Sequence, residues 1–204
     1  EIIVNATYNN VEGANGLAAL ISTLLFSAQI YCDFSGYSDI AVGCAKLFGV
    51  NLTENFKTPY AARSIKEFWN RWHISLSTWL KDYLYISLGG NRKGMKRTVF
   101  NLAVVWILTG IWHGASWNFV LWGLFHGLLL CVHKWFKNTR TKKKSTIVGN
   151  SLSVIGTYVV VCLGWVLFRA EDFETAFLVY KQMFIWNDGI LQIFRRDKSP
   201  CTSA

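Results

Sequence analysis

Apolar residues in this chain gather in long uncharged runs rather than in short alternating stretches. From Thr98 to His133 the chain passes 36 residues without one Lys, Arg, Asp or Glu, and Gly13–Cys32 and Ser145–Phe168 are two further uncharged runs. A charge at the centre of a bilayer costs about 2.5–3.5 kcal/mol on insertion scales, so such runs read as membrane-embedded. One crossing takes about 20 residues at about 1.5 Å each. The run 98–133 is too long for one crossing and slightly short for two, which fits two passes joined by a buried turn near Thr109–Ser116. The predicted spans are therefore about 13–32, 98–112, 117–133 and 147–168. The leg 98–112 rises only about 22 Å through a core about 30 Å thick, which predicts His113 inside the membrane. A buried soluble core is the alternative, and it requires three uncharged runs to coincide.

A different pattern runs from Ser64 to Gly90. Ser64 and Glu67 have the spacing of a capping box. Ile65, Phe68, Trp69, Trp72, Leu76, Trp79, Leu80, Tyr83 and Leu84 then recur at helical spacing, opposite Lys66, Asn70, Arg71, Ser77, Lys81 and Asp82. This predicts one or two amphipathic helices over about 65–88, re-entrant or lying in the interface. A second interfacial helix is predicted over about 173–186, from the stripe Phe173, Ala176, Phe177, Val179, Tyr180, Met183, Phe184. Residues 198–204 read as a disordered tail. The expected fold class is all-α, a polytopic helical membrane protein forming one unit over 1–197. With Glu rather than Met at position 1 and no signal peptide, the chain reads as a fragment of a larger bundle.

Charge sharpens this picture. The 204 residues carry a net charge of +9, which on a soluble protein would point to nucleic acid. Only 16% of residues are charged, however, while 52% are hydrophobic. Disorder is excluded by that apolar content. Ten of the 21 cations sit in two acid-free stretches, 91–97 and 134–144, and the remainder of the chain sums to −1. The excess is thus a topology signal: both loops are expected in the cytoplasm of a multi-pass protein whose immediate partners are membrane lipids, with no nucleic acid. Five cysteines without CxxC spacing read as small hydrophobes, and no metal is expected.

His113 is the first chemical candidate. A neutral imidazole in an intramembrane cavity can take a proton from an attacking hydroxyl. Gly110, Gly114, Ala115 and Ser116 around it leave room for such a cavity. A histidine merely hydrogen-bonded within a bundle satisfies the same residue chemistry. His73 stands at the edge of the amphipathic stripe and is either an interfacial histidine or a second polar group of a site. Asp33 and Asp39 are acids between apolar stretches; they line a cavity or lie on a surface loop. His126 and His133 share a helix face and read as structural or interfacial. There is no Walker loop, GxSxG, HExxH or zinc spacing.

Several longer motifs then add up. Phe34-Ser35-Gly36-Tyr37-Ser38-Asp39-Ile40-Ala41, Phe68-Trp69-Asn70-Arg71-Trp72-His73-Ile74-Ser75-Leu76-Ser77, Trp79-Leu80-Lys81-Asp82-Tyr83-Leu84-Tyr85-Ile86 with Leu88-Gly89-Gly90-Asn91-Arg92, and Thr109-Gly110-Ile111-Trp112-His113-Gly114-Ala115-Ser116-Trp117-Asn118-Phe119 occur in that order. Together they resemble the membrane-bound O-acyltransferase (MBOAT) family, in particular its bacterial alginate O-acetyltransferase membrane-subunit-like branch, over about Tyr31 to Met183. The resemblance implies a helical fold with a central tunnel where an acyl donor meets a hydroxyl. It matches the family's near-invariant histidine to His113 and its second active-site position to His73, with Asp39, Arg71 and Asn118 as tunnel-shaping candidates. It implies no bound cofactor, a cytoplasmic donor such as acetyl-CoA or another acetyl thioester, an extracytoplasmic esterase-like partner protein and a polysaccharide acceptor. D-alanyl transfer to teichoic acid and a non-catalytic transport or scaffold subunit are the alternatives. The wording around His73 departs from that of the D-alanyl branch, which favours acetyl transfer.

Overall fold

The computed structural model describes residues 1–139 and 146–185, and every regular element among them is a helix. In chain order these are α1 (Ile2–Tyr8), α2 (Gly16–Leu47), a 3₁₀ turn (Pro59–Ala61), α3 (Ile65–Trp69), α4 (Ile74–Trp79), a π-helical turn (Leu80–Tyr85), α5 (Gly94–His113), α6 (Trp117–Thr139), α7 (Ile147–Arg169) and α8 (Phe173–Met183). Short polar side chains start four of them. Asn15 accepts from Ala18 N at 2.8 Å, Ser64 from Glu67 N at 3.2 Å, Thr146 from Gly149 N at 3.2 Å and Asp172 from Thr175 N at 2.7 Å. Each takes one of the amide protons that a helix start leaves without a partner.

Three helices, α2, α6 (over Trp117–Phe136) and α7, are long and apolar enough to cross a membrane. Their outward faces carry large apolar side chains. On α7, Ile147, Val148, Leu152, Ile155 and Val159 are exposed, as are Leu124, Leu128 and Val132 on α6. Inside, by contrast, Thr7 meets Ser22 at 2.7 Å, Ser27 meets Tyr158 at 2.6 Å, and Tyr60 donates to the Ser27 carbonyl at 2.6 Å. Apolar outside and hydrogen-bonded inside is the arrangement that hydrocarbon favours. α5 is not among the three, because every 18-residue stretch of it takes in Lys96 and Arg97 at its start; its inward face holds Thr98, Asn101 and Thr109, all buried. Asn101 Nδ2 there donates to the carbonyls of Leu88 and Gly90, at 3.2 and 2.8 Å, and ties the preceding loop to the helix.

The first span is longer than the sequence predicts, and the amphipathic stretch takes the two-helix form. The first span continues through Asp33 and Asp39 to Leu47 as one helix, where a surface loop was one reading. No proline interrupts it, and the one-residue cost of Gly36, about 1 kcal/mol, is too small to end a helix of 32 residues. The amphipathic stretch 65–88 is broken at His73 and then widens into the π-helical turn, where Ile86 N donates back to the Lys81 carbonyl at 3.0 Å. The expected tail 198–204, residue 186 and residues 140–144 of the second basic loop lie outside the described residues.

α5 and α6 form an antiparallel hairpin that turns at 114–116, within the break that the small residues predict. Their backbones touch. A Cβ at Gly123 would overlap the Trp106 carbonyl oxygen, and one at Gly110 would overlap the Phe119 carbonyl oxygen. Gly156 on the outer side of α7 has nothing within 4 Å. We therefore expect Gly123→Ala to lower the yield of folded protein and its melting temperature in detergent, while Gly156→Ala is neutral or slightly stabilising. Equal behaviour of the two variants would show that the hairpin tolerates separation.

Candidate active site

The helices enclose an apolar cavity of about 240 Å³. One face of α5 supplies Leu102, Val105, Trp106, Thr109 and His113, residues three or four apart, so the cavity follows α5 for about 16 Å. α3 contributes Trp69, α6 Trp122, and α7 Trp165 and Phe168. The entry to α4 contributes His73. The two histidines, 40 positions apart in sequence, thus line one cavity. Exposed Lys66, Asn70 and Lys81 mark its outer rim, while Trp122 and Trp165 at 1% exposure form its deep wall.

Aromatic edges hold the His113 imidazole. Its ring centre lies 5.0 Å from Trp122, 5.1 Å from Phe168 and 5.0 Å from Trp112, each nearly perpendicular. Such edge-to-face contacts fix the ring plane without occupying its nitrogens. His73 stands edge-on to Phe34 at 4.7 Å, and Trp112 lies 6.2 Å away, next to both histidines. The Nδ1 atom of His73 is buried with no hydrogen-bond partner. A buried polar atom without a partner is costly, and this one lies within the packed side of the ring. Burial first, and then the neighbouring His113, push the His73 imidazole down to about 4, so it is neutral at physiological pH.

The other expected site residues are placed elsewhere. Asp39 is exposed on the C-terminal half of α2, off the cavity wall. Arg71 pairs with Glu67 at 2.6 Å and donates to the Thr58 carbonyl and hydroxyl at 3.3 and 3.2 Å; it clamps the loop before α3. Asn118 is buried and donates to the Ala170 carbonyl at 2.9 Å, joining the start of α6 to the end of α7. The Arg71 guanidinium and the Asn118 amide nitrogen are thus engaged in tying segments together, and the cavity wall falls mainly to aromatic and aliphatic side chains.

His126 is wholly buried behind the cavity. Its Nδ1 accepts from Trp69 Nε1 at 3.3 Å, and its Nε2 lies where a Cβ at Gly164 would meet it at 2.7 Å. It therefore supports the Trp69 wall and does not reach the cavity. Among the described residues no group of three His, Cys, Asp or Glu side chains is placed to hold a metal ion. An oriented, buried imidazole and a second neutral imidazole over an apolar slot can move a proton and hold a small acyl group.

The family model for membrane-bound O-acyltransferases (MBOAT) matches residues 7–168. The chain belongs to this family. Among MBOAT relatives it is 46% identical over 173 residues to the "Probable alginate O-acetylase AlgI" of Azotobacter vinelandii, covering 85% of this chain and 34% of that protein. It is 44% identical over 176 residues to the "Peptidoglycan O-acetyltransferase" of Helicobacter pylori, covering 86% and 33% respectively. To the "Teichoic acid D-alanyltransferase" of Bacillus subtilis it is 32% identical over 159 residues, covering 73% and 40%. The chain thus spans about a third of the length of the MBOAT relatives first named, and like them is a membrane protein.

The pH behaviour of His73 gives a check on the cavity. Its value is depressed in the folded state, so the unfolded chain binds the proton first, and stability is lost as pH falls from about 6.5 towards 4. We expect the melting temperature in detergent to drop over that window, and His73→Gln to flatten this part of the curve. An unchanged curve for His73→Gln would mean that the imidazole is solvated.

Proposed function

We propose that this chain forms the catalytic part of an O-acetyltransferase that carries acetyl groups from a cytoplasmic thioester to an extracytoplasmic polysaccharide. The observation that carries this is the meeting of His73 and His113 in one apolar cavity along α5. In this reading His113 is the general base. It takes the proton of the acceptor hydroxyl as the oxygen attacks the thioester carbonyl carbon; the new C–O ester bond forms, the C–S bond breaks, and the proton passes to the leaving thiolate. His73, a neutral imidazole on the same cavity wall, orients the acceptor or the carbonyl. The aromatic wall excludes water, which would otherwise hydrolyse the thioester.

Acetyl transfer is favoured over D-alanyl transfer because the acetyl-transferring relatives stand at 44–46% identity against 32% for the D-alanyl one. Acetyl-CoA or another acetyl thioester is the donor in this reading, and an esterase-like protein outside the membrane receives the group for the polysaccharide. The antiparallel hairpin brings the N-terminal end of α5 and the C-terminal end of α6 to one side, and the basic loops 91–97 and 134–144 make that side cytoplasmic. Arg71 and Asn118 act here through the segments they tie together rather than on the substrate, and Asp39 stands off the cavity.

His113→Ala in the whole protein should lower alkali-labile acetate on envelope glycans by about 100-fold or more, the range of a lost general base, at unchanged protein level in the membrane. Full acetylation by that variant would refute the assignment. Loss of ester-linked D-alanine with acetate intact would move the protein to the D-alanyl reading. Continued export of acetyl groups with no ester formed would make it a transport subunit.

A further inference from the structure

Residues 48–58 cross in front of α4 without regular structure, yet they fasten to the chain on both sides of His73. Before it, Lys57 N donates to the Arg71 carbonyl at 3.0 Å. After it, Ile74 N donates to the Asn55 carbonyl at 3.1 Å. Asn55 Oδ1 then accepts from Ser75 N at 3.1 Å and from Ser75 Oγ at 2.7 Å, while its Nδ2 donates to Ser38 Oγ of α2 at 3.4 Å. The adjacent Phe56 packs edge-on against Trp72 and Phe34, each at 4.9 Å, and Phe34 is the ring against which His73 rests.

A helix start leaves its first amide protons unpaired, and the residue at the cap position normally accepts one on its own side chain with extended backbone. α4 departs from this. His73 occupies the cap position, makes no capping hydrogen bond, and has φ 47° and ψ 53°, a left-handed conformation that non-glycine residues rarely hold. Such a conformation persists only where its surroundings over-determine it.

We propose that Asn55 caps α4 in place of His73 and is a positioning residue for the site. Its carbonyl takes the first amide of α4 and its carboxamide oxygen takes the second. His73 is thereby relieved of capping, kept in the left-handed conformation, and its imidazole is left for the cavity. This rests on the reading that His73 and His113 serve the transfer reaction, and it adds a residue 18 positions before His73 that touches neither substrate nor His113.

The test compares Asn55→Ala, Asn55→Asp, His73→Ala, Asn55→Ala/His73→Ala and His113→Ala in the whole protein in its own membrane, reading alkali-labile acetate on envelope glycans per folded protein. Asn55→Asp retains both acceptor oxygens and should stay near wild type. Asn55→Ala should lose about tenfold or more, because misplacing a reacting group by about 1 Å costs up to about 100-fold. In the double variant the two losses should not multiply, since both act through one imidazole. Asn55→Ser keeps a polar group but draws it back from Ser75, and gives the same comparison at less risk to folding. A wild-type rate for Asn55→Ala or Asn55→Ser beside an inactive His113→Ala overturns the proposal alone, as do multiplying losses in the double variant. An active His113→Ala overturns the proposal together with the reading beneath it.

Discussion

The backbone contact between α5 and α6 is the constraint on which the site depends. At Gly110 and Gly123 the two helices approach until carbonyl oxygens occupy the space of missing side chains. Hydrocarbon supplies no hydrophobic drive between helices, so close van der Waals approach is the main means of fixing one against another. That contact sets where Trp106 and Trp122 stand, and both rings pack on Trp69 and His126. His113 then closes α5 at the point where Trp122 and Phe168 can hold its ring. Move α5 outward by a methyl group and the aromatic wall, the cavity and the imidazole all lose their reference.

A second consequence concerns polarity. In water the buried Ser, Thr, Asn and Tyr groups of α2, α5 and α7 would add little, because the unfolded chain hydrogen-bonds equally well to solvent. In a membrane they have no such alternative, so Ser27 with Tyr158 and Tyr60, and Asn101 with the 88–90 loop, tie helices to irregular segments. The irregular backbone of 48–58 and 86–93 is held at points in this way: Lys57 N donates to the Arg71 carbonyl, the Asn55 carbonyl accepts from Ile74 N, and the Leu88 and Gly90 carbonyls accept from Asn101. The π-helical turn at Leu80–Tyr85 belongs to the same account, since its wider turn lets Leu80, Lys81 and Tyr85 reach the cavity together.

Much of this was legible from charge alone. A 36-residue run without charge, too short for two full crossings, locates the hairpin, and small residues locate its turn. The stripe Phe68, Trp69, Trp72 announces a buried face, which the structure shows as the core beneath the cavity. The family resemblance makes Asp39, Arg71 and Asn118 candidates for the tunnel, whereas the positions of Arg71 and Asn118 follow from partners such as Glu67 and Ala170. Asn55 carried no signal of its own. Its partners lie at Ser38, Ile74 and Ser75, about 20 residues away on either side, and no local pattern announces a cap supplied from another part of the chain.

The left-handed backbone of His73 brings these threads together. An unstrained cap residue would turn its side chain back on α4 to take an amide proton, and the imidazole would be lost to the cavity. The chain instead divides the two tasks, giving the amides to Asn55 and the cavity to His73, at the cost of a conformation worth about 1–3 kcal/mol. Only a segment anchored at both ends can hold that conformation. Arg71 supplies one anchor through Glu67 and Thr58, and Ser38 of α2 supplies the other through Asn55. Arg71, which the structure places off the cavity, is therefore part of how the site is held: with Asn55 it fixes the backbone around His73, whose imidazole must meet whatever His113 activates.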